Sequence, residues 1–139
     1  MQAKDPKNRG YLAEQLFFQQ ISGHVQNIKQ ECDLKRCFGW DMTSIDFLLE
    51  TDSGIIPVQI KYRGTRRREN NAIKNFLNSV NKLSVLYNKP VLFGMWLSRL
   101  KPFDDNELLL KDHNIQCVDY YHDLTALIDK GVQYILSNL

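Results

Sequence analysis

No run in this sequence approaches the roughly eighteen consecutive apolar residues that a membrane-spanning helix needs, so no transmembrane segment is expected. The first residues, Met1-Gln2-Ala3-Lys4-Asp5-Pro6, have no apolar stretch of the kind a secretory signal carries. Cysteine is scarce. An odd count of three, with no export signal, predicts reduced thiols in a cytoplasmic setting rather than a disulfide framework. No Gly-rich phosphate loop appears, and no Ser or Cys sits in a recognisable nucleophile context. Two loose groups, His24 with Cys32 and Cys37, and His113 with Cys117 and His122, lack the spacing and ligand number of a structural zinc site. No repeat, linker or low-complexity segment divides the chain. Its 139 residues, 43% hydrophobic and 24% charged, therefore predict one ordinary globular domain over residues 1–139.

The net charge of +2 says little about partners, but its distribution says more. Lys61, Arg63, Arg66, Arg67 and Arg68 fall within eight residues that contain no acid. Of the 18 Lys and Arg these are five, and the remaining 13 face 16 acids. A polyanion needs a local patch rather than a basic whole. Arg is the better phosphate fork, because its donors are planar and paired. The alternative is a solvated loop. From Asp104 to Asp129 the balance reverses to acidic, which predicts a face turned away from nucleic acid.

Periodicity and punctuation order the elements. Asp5-Pro6 reads as a helix cap followed by a first-turn proline, and the helix should run to about Ser22 with Gly23 ending it. A strand is expected within His24 to Lys35, and a hairpin from about Thr43 to Tyr62. Ile73, Phe76, Leu77, Val80, Leu83 and Tyr87 follow helical spacing over about Asn70 to Tyr87. Val91 to Leu97 reads as a buried strand, Asn114 to Tyr121 as another, and Leu124 to Leu136 as a last amphipathic helix. The order α-β-β-β-α-β-β-α predicts an α/β sandwich, a central mixed β-sheet flanked by helices.

The hairpin carries the chemistry. Thr51-Asp52-Ser53-Gly54 is a turn signal between two apolar runs. If Glu50 pairs with Ile55, Asp46 falls opposite Gln59. Side chains alternate along a strand, so Gln59 and Lys61 share a face, and directly opposed residues share a face too. One register thus gathers a carboxylate, an amide oxygen and an ammonium. The two oxygens suit a hard cation such as Mg²⁺, and the ammonium suits a phosphate or an attacking water. Asp41 is a rival ligand, but it lies earlier, near the Gly39-Trp40 turn. Glu14 lies on the first helix, in an arc with Gly10, Tyr11, Phe17, Phe18 and Ile21, and should face inward or toward a cleft. It could equally pair with a buried Lys or Arg.

This constellation resembles the PD-(D/E)xK nuclease superfamily: an Asp at the end of one strand, then an acidic residue, any residue and a Lys on the next. The likeness spans about residues 7 to 97. Gln59-Ile60-Lys61 departs from it by placing Gln where an acid is usual. Glu14 matches the Glu that an N-terminal helix often adds. The Gln makes the chain most similar to group I intron-encoded homing endonucleases of this fold. Holliday-junction resolvases and small restriction or defence nucleases are the neighbouring possibilities. The resemblance implies a restriction-endonuclease-like sandwich and Mg²⁺-dependent, site-specific hydrolysis of double-stranded DNA, with Mn²⁺ able to substitute. It implies metal ligands in Asp46, Gln59, the backbone carbonyl of Ile60, and Glu14. It makes Lys61 the residue that orients the attacking water. Lys61, Arg63, Arg66, Arg67 and Arg68 would contact DNA. A double-strand cut by so small a domain implies a homo-oligomer, dimer or tetramer. Gln59 also leaves open a catalytically inactive DNA-binding module of the same fold.

Overall fold

The structure is a computed structural model that describes residues 6–139, with side chains from residue 10 onward. Asp5, read above as a helix cap, lies outside the described residues. Ten elements follow in order: α1 (Pro6–Ile21), β1 (Asn27–Gln30), α2 (Glu31–Phe38), β2 (Phe47–Glu50), β3 (Ile55–Lys61), α3 (Asn70–Leu86), β4 (Gly94–Ser98), α4 (Asp104–Asp112), β5 (Ile115–Asp119) and α5 (Leu124–Ser137). The strands form one mixed sheet in the order β1-β2-β3-β4-β5. The first three are antiparallel, and β3, β4 and β5 are parallel. The α/β architecture with a mixed sheet is as expected.

Two helices depart from that expectation. The segment read as strand alone holds β1 and then turns straight into α2. A single short helix, α4, precedes β5. Both helices are brief and polar. α2 buries only Leu34, and α4 only Asn106 and Leu110, so neither shows a long apolar period. No described helix is long and apolar enough to cross a membrane.

The sheet is covered on both faces. Ala13, Phe17 and Ile21 of α1 and Leu127, Ile128, Val132 and Ile135 of α5 pack on Phe47, Leu49, Ile56, Val58 and Leu97. On the other face Ile73, Phe76, Leu77, Val80 and Leu83 of α3, with Leu34 and Leu110, cover Leu48, Ile55, Trp96 and Ile115. β3 lies at the centre and is buried at every position except Lys61. It is the strand through which both cores are joined.

The hairpin register is as read: Glu50 pairs with Ile55, and the ladder continues through Leu49↔Ile56 and Leu48↔Pro57 to Phe47↔Val58. β4 starts later than its apolar run suggests. Ile55 donates to Pro90 O and accepts from Leu92 N, so the odd residues of β3 face β4. Pro57 is the next of these and has no N–H to give. The regular ladder accordingly begins at Val58↔Met95, after a lone bridge between Ile55 and Val91.

Candidate active site

β2 stops at Phe47, one pair short of Asp46. Asp46 N still donates to Val58 O at 2.9 Å. Beyond that point the side chain takes over from the main chain, and Asp46 Oδ2 accepts from Ile60 N at 2.8 Å. The carboxylate thus fills the place where a β2 carbonyl would have met β3. On the other side of β3, Lys61 O accepts from Arg99 N at 3.1 Å. Main-chain groups alternate sides along a strand, so the neighbouring Ile60 peptide faces β2. Ile60 N–H and C=O therefore both point toward the gap that opens where β2 ends.

Gln59 is nearly inaccessible, at 5% exposure. A buried amide needs partners at both ends. The orientation that satisfies both donates from its nitrogen to Ser44 O and accepts at its oxygen from Lys61 Nζ at 3.3 Å. Gln59 and Lys61 do share a face, the one covered by α3. The segment before Asp46 is tied from several directions. Ser44 takes a positive φ of 65°, a conformation few non-glycine residues adopt. Its N donates to Glu31 Oε2 at 3.1 Å, and its carbonyl meets Gln59. Thr43 N donates to Ser79 Oγ at 3.1 Å, and the same hydroxyl donates back to Thr43 O at 2.7 Å. Elements α2, β3 and α3 thus converge on the two residues that lead into Asp46.

The electrostatics are lopsided. Burial raises the Asp46 carboxyl to about 7. The Ile60 hydrogen bond and Lys61 oppose the rise, and Glu14 and Glu31 add to it. Glu14 is half-buried and raised for the same reasons, first burial and then the charge of Glu31. Lys61 is lowered, first by burial and then by Arg63. Of the residues singled out from sequence, Asp46 thus feels the charges of both Glu14 and Lys61. Glu31 joins them and had not been singled out. Its signal was local: Asp33 accepts from Gln30 N at 3.0 Å, a capping pattern that starts a helix at Glu31.

The donor set suits a cation of limited demands. Among the described residues no group of three or more His, Cys, Asp and Glu side chains gathers around one point. Mg²⁺ does not need such a cage. It is commonly held by one or two carboxylates, with water and substrate phosphate completing its shell. Asp46 has one carboxylate oxygen left after Ile60, and the Ile60 carbonyl and Glu14 offer further hard oxygens.

The basic run proves mostly engaged with its own protein. Arg63 Nε donates to Glu69 Oε2 at 2.6 Å, and Arg67 lies 4.0 Å from the same oxygen. Arg68 pairs with Asp105. Arg66 donates to the carbonyls of Lys101 and Pro102 and stacks over Phe103 at 4.1 Å. Asp41, the rival ligand, is exposed and paired with Lys82 at 2.5 Å. Cys32 and Cys37 are exposed on α2 as free thiols. No protein-family model, no curated protein and no solved structure matches the chain.

Proposed function

We propose that the chain is a divalent-metal-dependent endodeoxyribonuclease of the PD-(D/E)xK type, hydrolysing phosphodiester bonds in double-stranded DNA. The observation that carries this reading is the buried Asp46 carboxyl. It is raised to about 7 beside Glu14 and Glu31, and it is fixed by Ile60 N on the strand that presents Lys61. Such a deficit of positive charge suits a cation at Asp46, the Ile60 carbonyl and Glu14. A divalent cation held there supplies positive charge against the phosphate oxygens during hydrolysis.

The chain's own groups do the rest. Ile60 N–H holds one oxygen of Asp46 and leaves the other free to bind. Lys61 directs its ammonium toward the attacking water or the phosphate. Its lowered pKa brings it nearer to a group that can exchange a proton at neutral pH. Gln59 holds Lys61 and Ser44 together and so sets the distance between ammonium and carboxylate. The Gln of this tripeptide is also the feature that favours the homing subclass. A single site cuts one strand, so a double-strand break takes two copies.

One observation favours a second reading. The Gln59 oxygen is engaged by Lys61 rather than free for a ligand, which suits a DNA-binding module that no longer cleaves. Incubation of supercoiled plasmid with the protein separates the two. Cleavage is expected with Mg²⁺ or Mn²⁺ and not with EDTA. Gln59→Glu, which keeps the acceptor for Lys61 but loses the donor to Ser44 O, should remain active, and Gln59→Leu should not. Retarded plasmid that stays intact with either metal would establish the module. An active Gln59→Leu variant would remove Gln59 from the site.

A further inference from the structure

Because β3, β4 and β5 are parallel, their C-terminal ends lie side by side at one edge of the molecule. Lys61 ends β3 and Arg99 follows β4, joined by the hydrogen bond from Arg99 N to Lys61 O. The guanidinium of Arg99 is flanked by two tyrosines, 5.4 Å from the Tyr62 ring centroid and 4.7 Å from that of Tyr121, in the loop after β5. Arg99 Nε donates to Tyr121 O at 3.2 Å and Nη1 to Arg63 O at 3.3 Å. Those carbonyls fix the group without neutralising it. Arg63, Arg67 and Arg68 spend their charge on Glu69 and Asp105. Arg99, Lys61 and Arg66 make no ion pair among the described residues; Arg66 is stacked over Phe103, and Arg99 is the one that lies beside Lys61 at the strand ends.

The same loop carries a second aromatic–cation pair, Lys130 Nζ at 5.1 Å from the Tyr120 centroid. His122 meets Tyr121 edge-on, with centroids 4.8 Å apart. Tyr121 is half exposed and Tyr120 about a third. Two acids stand at this edge, Asp119 and Asp123. The Asp123 carboxylate is occupied in capping α5, accepting from Thr125 N at 2.9 Å.

Cations interleaved with exposed aromatic rings suit a strand of nucleic acid whose bases are free to stack. Inside a duplex both faces of every base are already covered by its neighbours, so a ring at the protein surface has nothing to stack on. We propose that the ends of β3, β4 and β5 hold an unpaired nucleotide, with Arg99 on its phosphate and Tyr121 against its base. The preferred substrate is then double-stranded DNA interrupted by an unpaired strand beside the scissile bond, such as a flap, fork or overhang, with uninterrupted duplex the weaker substrate. This deepens the nuclease reading and rests on it.

The test is binding in Ca²⁺ to two DNAs of equal length, one blunt and one forked, with 2-aminopurine at the first unpaired position of the fork. Wild type should prefer the fork by about tenfold, with quenching of the probe. Tyr121→Phe should keep both effects, and Tyr121→Ala should lose the preference and the quenching. Equal affinity of wild type for the two DNAs overturns this inference and leaves the nuclease reading standing. So does a Tyr121→Ala variant that still prefers the fork. Failure of wild type to bind either DNA overturns both.

Discussion

Glu50 and Asp46 mark the two ends of β2, and the protein treats them in opposite ways. Glu50, beside the hairpin turn, accepts from Tyr87 Oη at 3.0 Å and lies 3.2 Å from Lys89 Nζ and 4.0 Å from Lys29 Nζ. Burial pushes its carboxyl up, but the Tyr87 and Lys89 hydrogen bonds and the two ammonium charges outweigh that, and the net shift is downward. Asp46 has one main-chain donor, a single nearby ammonium in Lys61, two acidic neighbours and a pKa of about 7. One end of the strand is electrically closed and serves stability. The other is left short of positive charge and adds nothing to stability at neutral pH, which is the kind of arrangement that marks it as the candidate site.

The largest effect should separate the lysines at the two ends. Lys61→Ala is expected to slow plasmid cleavage by at least about a hundredfold while leaving the circular dichroism spectrum unchanged. Lys89→Ala should leave the rate within about threefold and lower the melting temperature instead, since it breaks a stabilising pair. Equal losses of cleavage in the two variants would erase the contrast.

The next effect concerns pH and has opposite signs at the two ends. Asp46 binds its proton more tightly when folded, with a pKa of about 7 against an ordinary 3.8. Its contribution to stability is complete below about 3.8 and is lost as pH rises to about 7. Glu50 is lowered from an ordinary 4.5, so its contribution is present above that value and is lost as pH falls through the folded pKa. In metal-free buffer, Asp46→Asn should therefore gain melting temperature over wild type as pH rises from 4 toward 7. Glu50→Gln should lose ground over the same rise. Added Mg²⁺ should stabilise wild type at neutral pH more than Asp46→Asn. Parallel melting curves for the two variants would break the comparison.

The smallest effect is expected from Arg66, Arg67 and Arg68 together. Changed to Ala, they should lower the log–log salt slope of DNA binding by about one unit rather than one for each residue, because carbonyls and acids of the protein already occupy them. A loss of about three units would restore the full run to the DNA interface.

That last contrast shows where reading the sequence stops. The hairpin, its register and the shared face of Gln59 and Lys61 were legible, because a polar turn ending in Gly54 leaves little choice of pairing and strand side chains alternate. The half-burial of Glu14 was legible because it interrupts an apolar arc. Helices α2 and α4 were not, because one or two buried positions make no period. Their acidic first turns and their lysines near the C-terminal end, Glu31 and Asp33 with Lys35, and Asp104, Asp105 and Glu107 with Lys111, were the signals available. The role of Arg99 was hidden for another reason. A cluster of arginines is conspicuous along the chain, whereas the two acids that offset half of its charge, Glu69 and Asp105, and the carbonyls that steady a lone arginine after β4, are set by the fold.

Ser44 ties the geometry around Asp46 to the completeness of folding. Its unfavourable backbone conformation has three anchors, Glu31 from α2, Gln59 from β3 and, through Thr43, Ser79 from α3. The three come from separate stretches of the chain, and α2 is parted from β3 and α3 by β2. A folding intermediate that has formed the β2–β3 hairpin but not docked both helices owns Asp46 and Lys61 yet has no reason to hold Ser44 in place. The geometry around Asp46 is therefore expected to form late and to be lost early. A partly folded or heat-damaged molecule is expected to lose the arrangement around Asp46 before it loses its sheet, and the one serine held at positive φ is where that loss begins.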